Sequence, residues 1–356
     1  MPSLSEDSES SDSFSAFVRS ARRFALAHAM EPLAHDPVRR ALFGPDSSEE
    51  SGPEPRRPVD LTGRSIGRYR VDERIGRGGM GEVYAAYDRV LDRRVAIKRS
   101  TVEGDPCRLD AMTTEARSVA KIRHNNVVAV HDVILSDGEL LVVMELVPGP
   151  TLGRWLGDGR RSWREIVEVF IGAGEGLAAA HAEGIVHRDF KPSNVLMAPG
   201  RCPRVVDFGL ARRIEGPPTS RREATVGTRK YMAPEQHSGS PVGPSADQFA
   251  YCNALYRALF GHAPFDDASP EAYVASVMEG RVRRPRARQG APRVLERIVM
   301  RGLASSPQDR NPSMEQLVGM LRSLLLQRRR RAAVGGGILA VVVATLAARC
   351  VLGPGS

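Results

Sequence analysis

The stretch "HRDFKPSN", His187 to Asn194, sets an imidazole, a guanidinium, a carboxylate, an ammonium, a proline and an amide side by side. It lies between the apolar runs "GIV" and "VLM". Turn-forming polar residues between short aliphatic segments read as a tight loop joining strands. A loop needs no such collection of ionisable groups of both signs merely to turn the chain, so the segments on either side are read for what they could bring to it.

Upstream, the pattern is β. From Gly67 to about Asp105, "RYRVDERIG", "EVYAAYD" and "RRVAIKRS" are short runs separated by Gly, Asp and Arg turns. "AMTTEARSVAKI" has Met112, Ala116 and Val119 at helical spacing, and "VVAVHDVIL" and "ELLVVMELV" return to strand. From Leu152 to about Leu326 helical patterns dominate. "ADQFAYCNALYRALFG" is apolar on nearly all sides, as a buried central helix should be. A strand-rich half followed by a helix-rich half describes an α+β chain of two lobes with a cleft between them, where ligands usually bind.

A chain of 356 residues with 42% hydrophobic content can bury a substantial core. The net charge of +9 raises the question of nucleic acid, but much of the excess sits in "RVRRPRAR" (Arg281 to Arg288) and "RRRR" (Arg328 to Arg331). Aromatic residues are 5% of the chain and none is interleaved with these runs, so no nucleic-acid partner is expected. Cys107, Cys202, Cys252 and Cys350 form no CxxC pair, which argues against a zinc site or a disulfide framework and for a reducing compartment.

"GRGGMG", Gly76 to Gly81, matches G-x-G-x-x-G, a pattern used by two architectures. A dinucleotide-binding fold needs a helix starting at the last glycine and an acid some way on, a role Asp92 could be pressed into. The strand, hairpin and strand of "EVYAAYD" and "RRVAIK" fit better a glycine-rich flap over a nucleotide. Positive charge is almost all arginine, with Lys98, Lys121, Lys191 and Lys230 the only lysines. Lys98 ends the apolar "VAI" run, where it would face the cleft, and a compact ammonium suits phosphate oxygens better than a planar guanidinium.

These pieces form an ordered series: "GRGGMGEV", "VAIK", "HRDFKPSN", "DFG", "APE", then Asp247 in the buried helix and Arg310 in "QDRNPS". The chain resembles the eukaryotic-like Ser/Thr protein kinases of bacteria from about Tyr69 to Leu321. The resemblance implies the two-lobed kinase fold, with an N-lobe over 67–147 and a C-lobe over 148–326. It implies ATP and Mg²⁺ as cofactors and proteins with Ser/Thr acceptors as substrates. Asp189 would accept the substrate hydroxyl's proton, Lys191 contact the γ-phosphate, and Asn194 and Asp207 hold the metal. Lys98 would be aimed by Glu115, and Phe208 would set active or inactive geometry. The glycines Gly76, Gly78 and Gly81 would cover the phosphates. The adenine would lie among Ile75, Val83, Ala96 and Leu196, its edge read by backbone groups of Glu145 and Val147.

Thr228 in "GTRKYMAPE" is the threonine that, in the Ser/Thr branch, bonds the catalytic Asp and the loop Lys. Arg188 before the catalytic Asp implies activation by a loop phosphate, with Thr225 the first candidate acceptor and Thr219 and Ser220 behind it. Four positions depart from the family pattern: Phe190 replaces Leu, Cys252 stands where Gly is common, and Arg229 and Lys230 replace small residues, which suits acidic substrate neighbours. A pseudokinase scaffold is the alternative, and it predicts loss of an essential group that this sequence retains. A small-molecule phosphotransferase should lack "APE".

Residues 1–66 open and close with Ser, Asp, Glu and Pro and read as a disordered extension, with "FVRSARRFALAHAMEPL" a possible short helix. The N-terminus has no apolar signal region. After the basic 327–331, "AAVGGGILAVVVATLAA" carries no charge and reads as a membrane-spanning helix over 332–352. The positive-inside rule would leave the large domain cytoplasmic, anchored to the cell membrane by a single pass, with almost no chain beyond it for an external sensor. Self-association for trans-autophosphorylation is a further expectation.

Overall fold

The computed structural model describes residues 60–78, 81–101, 106–136, 138–208, 229–285 and 290–326. Alternation of buried and exposed residues builds a six-stranded antiparallel sheet from β1 (Ser65–Ile66), β2 (Tyr69–Gly78), β3 (Gly81–Asp88), β4 (Arg93–Thr101), β5 (Val130–Ser136) and β6 (Glu139–Glu145). The strand order is β1-β2-β3-β4-β6-β5. One face closes on Tyr69, Val71, Tyr84, Ala86, Val95, Ile97, Leu141 and Val143. The other is covered by α1 (Pro106–Val119), whose Met112 and Ala116 pack on Leu140 and Val142. The expected periodicities of 2 and 3.6 are both present in this lobe.

The helical lobe follows: α2 (Leu152–Gly157), α3 (Trp163–Ala182), the hairpin β7 (Val195–Ala198) and β8 (Cys202–Val205), then α4 (Pro234–Ser238), α5 (Pro244–Phe260), α6 (Pro270–Met278), α7 (Arg293–Gly302) and a helix over 314–326, α8. A capping box starts α3. Ser162 Oγ accepts from Glu165 N, and the Glu165 carboxylate accepts from Ser162 N. Helix α5 is the buried helix read from "ADQFAYCNALYRALFG", with Phe249, Tyr251, Cys252, Leu255 and Tyr256 all sealed from solvent. Cys252 fits there because α7 presents Gly302 to it. A Cβ on Gly302 would collide with the Cys252 sulfur, so the bulk gained at one helix is removed from the other.

Two readings change in detail. "GIV" before the loop is not a strand but the cap of α3. Gly184 N donates to His181 O at 3.0 Å and Ile185 N to Ala180 O at 2.9 Å, with Gly184 at φ +72°. The glycine ends the helix and Ile185 covers its last turn, so the loop runs from a helix into a strand. At Gly81, φ is +124° and a Cβ would strike the carbonyl of Arg99. This glycine therefore lets β3 approach β4. Among the described residues no helix is long and apolar enough to cross a membrane. The expected span at 332–352, the possible helix within 1–66, Thr228 and the candidate acceptors Thr219, Ser220 and Thr225 lie outside the described residues.

Candidate active site

Asp247, fully buried on α5, is the anchor of the loop that opened the reading. Its carboxylate accepts from the backbone N–H groups of His187 and Arg188, each at 2.7 Å, and meets His181 Nε2 at 2.7 Å. Charge-assisted bonds of this length fix backbone rather than side chains. They hold Arg188 at φ +63°, a conformation costly for a non-glycine residue. Gln236 at the start of α4 donates to Arg188 O at 2.7 Å from the other side. Phe190 is buried between the rings of His187 and Tyr251, at centroid distances of 6.0 and 5.7 Å. The larger ring in place of Leu is thus used in packing.

With the backbone fixed, the loop's chemistry collects at Asp189. Lys191 Nζ lies 3.0 Å from Asp189 Oδ2, while Asn194 Nδ2 donates to Asp189 O at 2.9 Å and lies 3.3 Å from Oδ2. Val206 N donates to Asn194 O at 2.9 Å, which draws the end of β8, and with it Asp207, against the same loop. His187 Nε2 faces the carbonyl of Val206 at 2.9 Å and must donate to it, so Nδ1 is the acceptor for Asp189 N at 3.3 Å. The ring therefore works as a neutral imidazole that ties the two catalytic segments together.

Asp207 stands at φ +61°, and its Oδ1 is 2.9 Å from Lys98 Nζ. Burial works against its charge, but the Lys98 ammonium, through its charge and its hydrogen bond, with Lys191 behind it, holds the carboxyl below the usual range. Phe208 packs inward against His187, ring centroids 4.8 Å apart. The pairing expected between Lys98 and Glu115 is replaced: the ion-pair partner of Lys98 among the described residues is Asp207, and Glu115 sits on α1.

The residues expected to face a nucleotide are placed by strand register. Val83 is opposite Lys98 across β3 and β4, and Ala96, two residues before Lys98, projects from the same face. Gly76 pairs with Val83, Gly78 with Gly81, and Ile75 falls in the irregularity between Arg74 and Gly76, half exposed. Leu196 lies on β7 opposite Arg204 and is bridged to Thr151, beside the connection that carries Glu145 and Val147. Glu145 N already donates to Ala129 O at 2.9 Å, so this donor is not open to an adenine edge.

The donor set decides whether these residues suit a metal ion. Among the described residues no three His, Cys, Asp or Glu side chains gather as a metal cage. Asn194 spends its amide N–H on Asp189 and Asp207 spends one oxygen on Lys98, which leaves each an oxygen to give. Two oxygen ligands suit a hard cation such as Mg²⁺ that takes its remaining ligands from phosphate and water.

His181, Gln236 and the pairing of Glu235 with Arg310 were not singled out in the sequence. His181 and Asp247 are far apart in the chain and meet only through the packing of α3 on α5, for which one sequence carries no local signal.

A two-lobed fold with an Asp–Lys–Asn loop facing a Lys–Asp pair defines a phosphotransferase cleft. The protein kinase domain model matches residues 69–325, and the chain belongs to the protein kinase family. It is 36% identical over 259 residues to the serine/threonine-protein kinase PknH of Mycobacterium tuberculosis, covering 72% of this chain and 41% of that one. It is 36% identical over 251 residues to PknE of the same organism, covering 70% and 44%. The chain thus spans less than half the length of these relatives. The crystal structure of the PknI kinase domain of M. tuberculosis superposes with a TM-score of 0.57 at 23% identity, covering 74% of this chain and 98% of that one, a likeness of fold.

Proposed function

We propose that this chain is an ATP-dependent protein kinase that transfers the γ-phosphate to Ser or Thr hydroxyls of proteins. The observation that carries the reading is the convergence of Asp189, Lys191 and Asn194 with Asp207 and Lys98, from three separate segments. Asp189 holds the incoming hydroxyl by hydrogen bond and takes its proton as the oxygen attacks phosphorus; the departing bond is that to the β-phosphate oxygen. Lys191, already against Asp189, places positive charge where the transferred group passes. Lys98 leaves Asp207 in part to meet the α- and β-phosphates, and Asp207 and Asn194 would hold Mg²⁺. The bound cation would neutralise charge developing on the β and γ oxygens. Lys98, Asp189, Asn194 and Asp207, each essential to transfer, are all retained, so nothing favours a scaffold without transfer.

Several finer readings belong to this proposal. Thr228 completes the Ser/Thr-type site, and Arg188 receives a phosphate from the activation segment, Thr225 first, placed there by a second copy of the chain. The segment 332–352 anchors the protein in the cell membrane with the kinase domain, 67–326, on the cytoplasmic side, because residues 332–348 are uncharged and follow four arginines, with Arg349 near the far end able to snorkel to the interface. Transfer of label from γ-labelled ATP to a Ser/Thr protein tests the activity. Asp189→Asn should lower the rate by about 10²- to 10⁴-fold, the span of a general-base contribution. Undiminished transfer by folded Asp189→Asn would overturn the assignment of the base.

A further inference from the structure

Six arginines, Arg68, Arg93, Arg94, Arg188, Arg204 and Arg257, each bury a guanidinium nitrogen with no hydrogen-bond acceptor. Four of them have a carboxylate to balance the charge: Asp88 for Arg68 and Arg93, Asp72 for Arg94, Glu145 for Arg204. Arg188 and Arg257 have none among the described residues. Arg188 belongs to the catalytic loop. Arg257 has no place in the chemistry derived so far.

Arg257 lies near the C-terminus of α5, under the segment 229–232 that leads into α4. Its Nε donates to Asn253 Oδ1 at 2.9 Å, a neutral acceptor, and its guanidinium covers the rings of Tyr231 and Tyr273 at 5.4 and 6.0 Å. Asn253 Nδ2 in turn donates to Lys230 O at 3.0 Å and lies 2.7 Å from Tyr273 Oη, so the backbone above Arg257 is pinned to α5 and α6. At its other end the segment is tied to the catalytic loop through Ala233 N to Gln236 Oε1 and Gln236 Nε2 to Arg188 O. Residues 229–232 are thereby tied to the loop that carries Asp189, on the path a protein strand presenting its hydroxyl would take.

The charges along this path are one-sided. Arg229 and Lys230 immediately precede Tyr231, and Arg229 makes no ion pair among the described residues. The neighbouring carboxylates are committed elsewhere: Glu235 to Arg310, Asp247 to the catalytic loop, Asp266 and Asp267 to Arg283. None of these, nor Glu271 at the start of α6, is within ion-pair distance of Arg257. A half-buried guanidinium without a counter-charge is costly in an isolated fold and is tolerable where an anion arrives with a ligand. We propose that Arg257, with Arg229, forms a subsite for an acidic residue adjoining the acceptor Ser or Thr, so that the chain selects acidic substrate segments. This rests on the kinase reading and names its substrate class.

The test is a positional scan. Peptides share one Ser acceptor and carry Asp, Asn or Lys at each flanking position in turn, and kcat/KM is measured for wild type, Arg257→Gln and Arg257→Glu. At one or more positions wild type should use Asp roughly tenfold better than Lys, the scale on which one charge contact discriminates partners. Arg257→Gln should flatten that preference and Arg257→Glu reverse it. Equal use of Asp, Asn and Lys by wild type would overturn the proposal, and so would a preference left intact in both variants while their Tm falls. The wild-type scan decides even if Arg257→Glu does not fold. Absence of transfer to every peptide, neutral ones included, would instead strike the kinase reading and take the subsite with it.

Discussion

The C-lobe pair Arg310–Glu235 and the cleft pair Lys98–Asp207 are both buried or nearly so, and both join segments distant in sequence. They differ in what is left over. Arg310 meets both Glu235 oxygens at 2.6 and 2.8 Å, donates to the carbonyls of Ala304, Ser245 and Ser305, and lies 5.1 Å from the Phe249 ring centroid. Every direction of its fork is occupied, and its side chain is wholly buried. Lys98 has one contact to one oxygen of an Asp207 whose side chain remains 27% exposed. A saturated pair can only hold the fold. An open one has donors and acceptors to offer a ligand, which is why an ammonium stands in the cleft and a guanidinium in the scaffold.

Removing one partner of the saturated pair should have the largest effect on stability. Arg310→Ala strands the Glu235 carboxylate in the interior and should cost about 3–5 kcal/mol, read as a lowered denaturation midpoint. Loss of less than about 1 kcal/mol would mean that the pair is not the clamp its geometry describes. A smaller effect is expected at the α5–α7 contact behind Asp247. Gly302→Ala drives a methyl into Cys252 and should cost about 1–3 kcal/mol, and adding Cys252→Gly to it should recover part of that loss. If Gly302→Ala is neutral, the two helices are not in the close contact that lets α5 accept Cys252.

Much of the fold was legible because its signals are local. Alternation gave the strands of the first lobe, and the all-round apolar character of "ADQFAYCNALYRALFG" gave α5. The site was legible because phosphoryl transfer concentrates rare combinations such as Asp189, Lys191 and Asn194 in one short loop. What escaped depends on long-range geometry. The "GIV" run is identical in composition to a short strand, and only the Gly184 backbone makes it a helix cap. The partner of Lys98 could not be fixed from sequence, since both Glu115 and Asp207 are acids of suitable type and the choice is made by how α1 and β8 stand against β4. Arg229 and Lys230 announced a basic groove, whereas Arg257 lay unnoticed in a helix and gained meaning only beside Tyr231.

The contrast between the two pairs is tested most directly by Lys98→Met, assayed in parallel for thermal unfolding and for phosphate transfer from ATP. An open pair that serves chemistry predicts a transfer rate lower by about 10²- to 10³-fold, as when one preorganised charge contact is removed from a transition state, with cooperative unfolding retained. Wild-type transfer, or a protein that no longer folds, would place Lys98 with Arg310 among the supports of the structure and contradict the role given to the cleft.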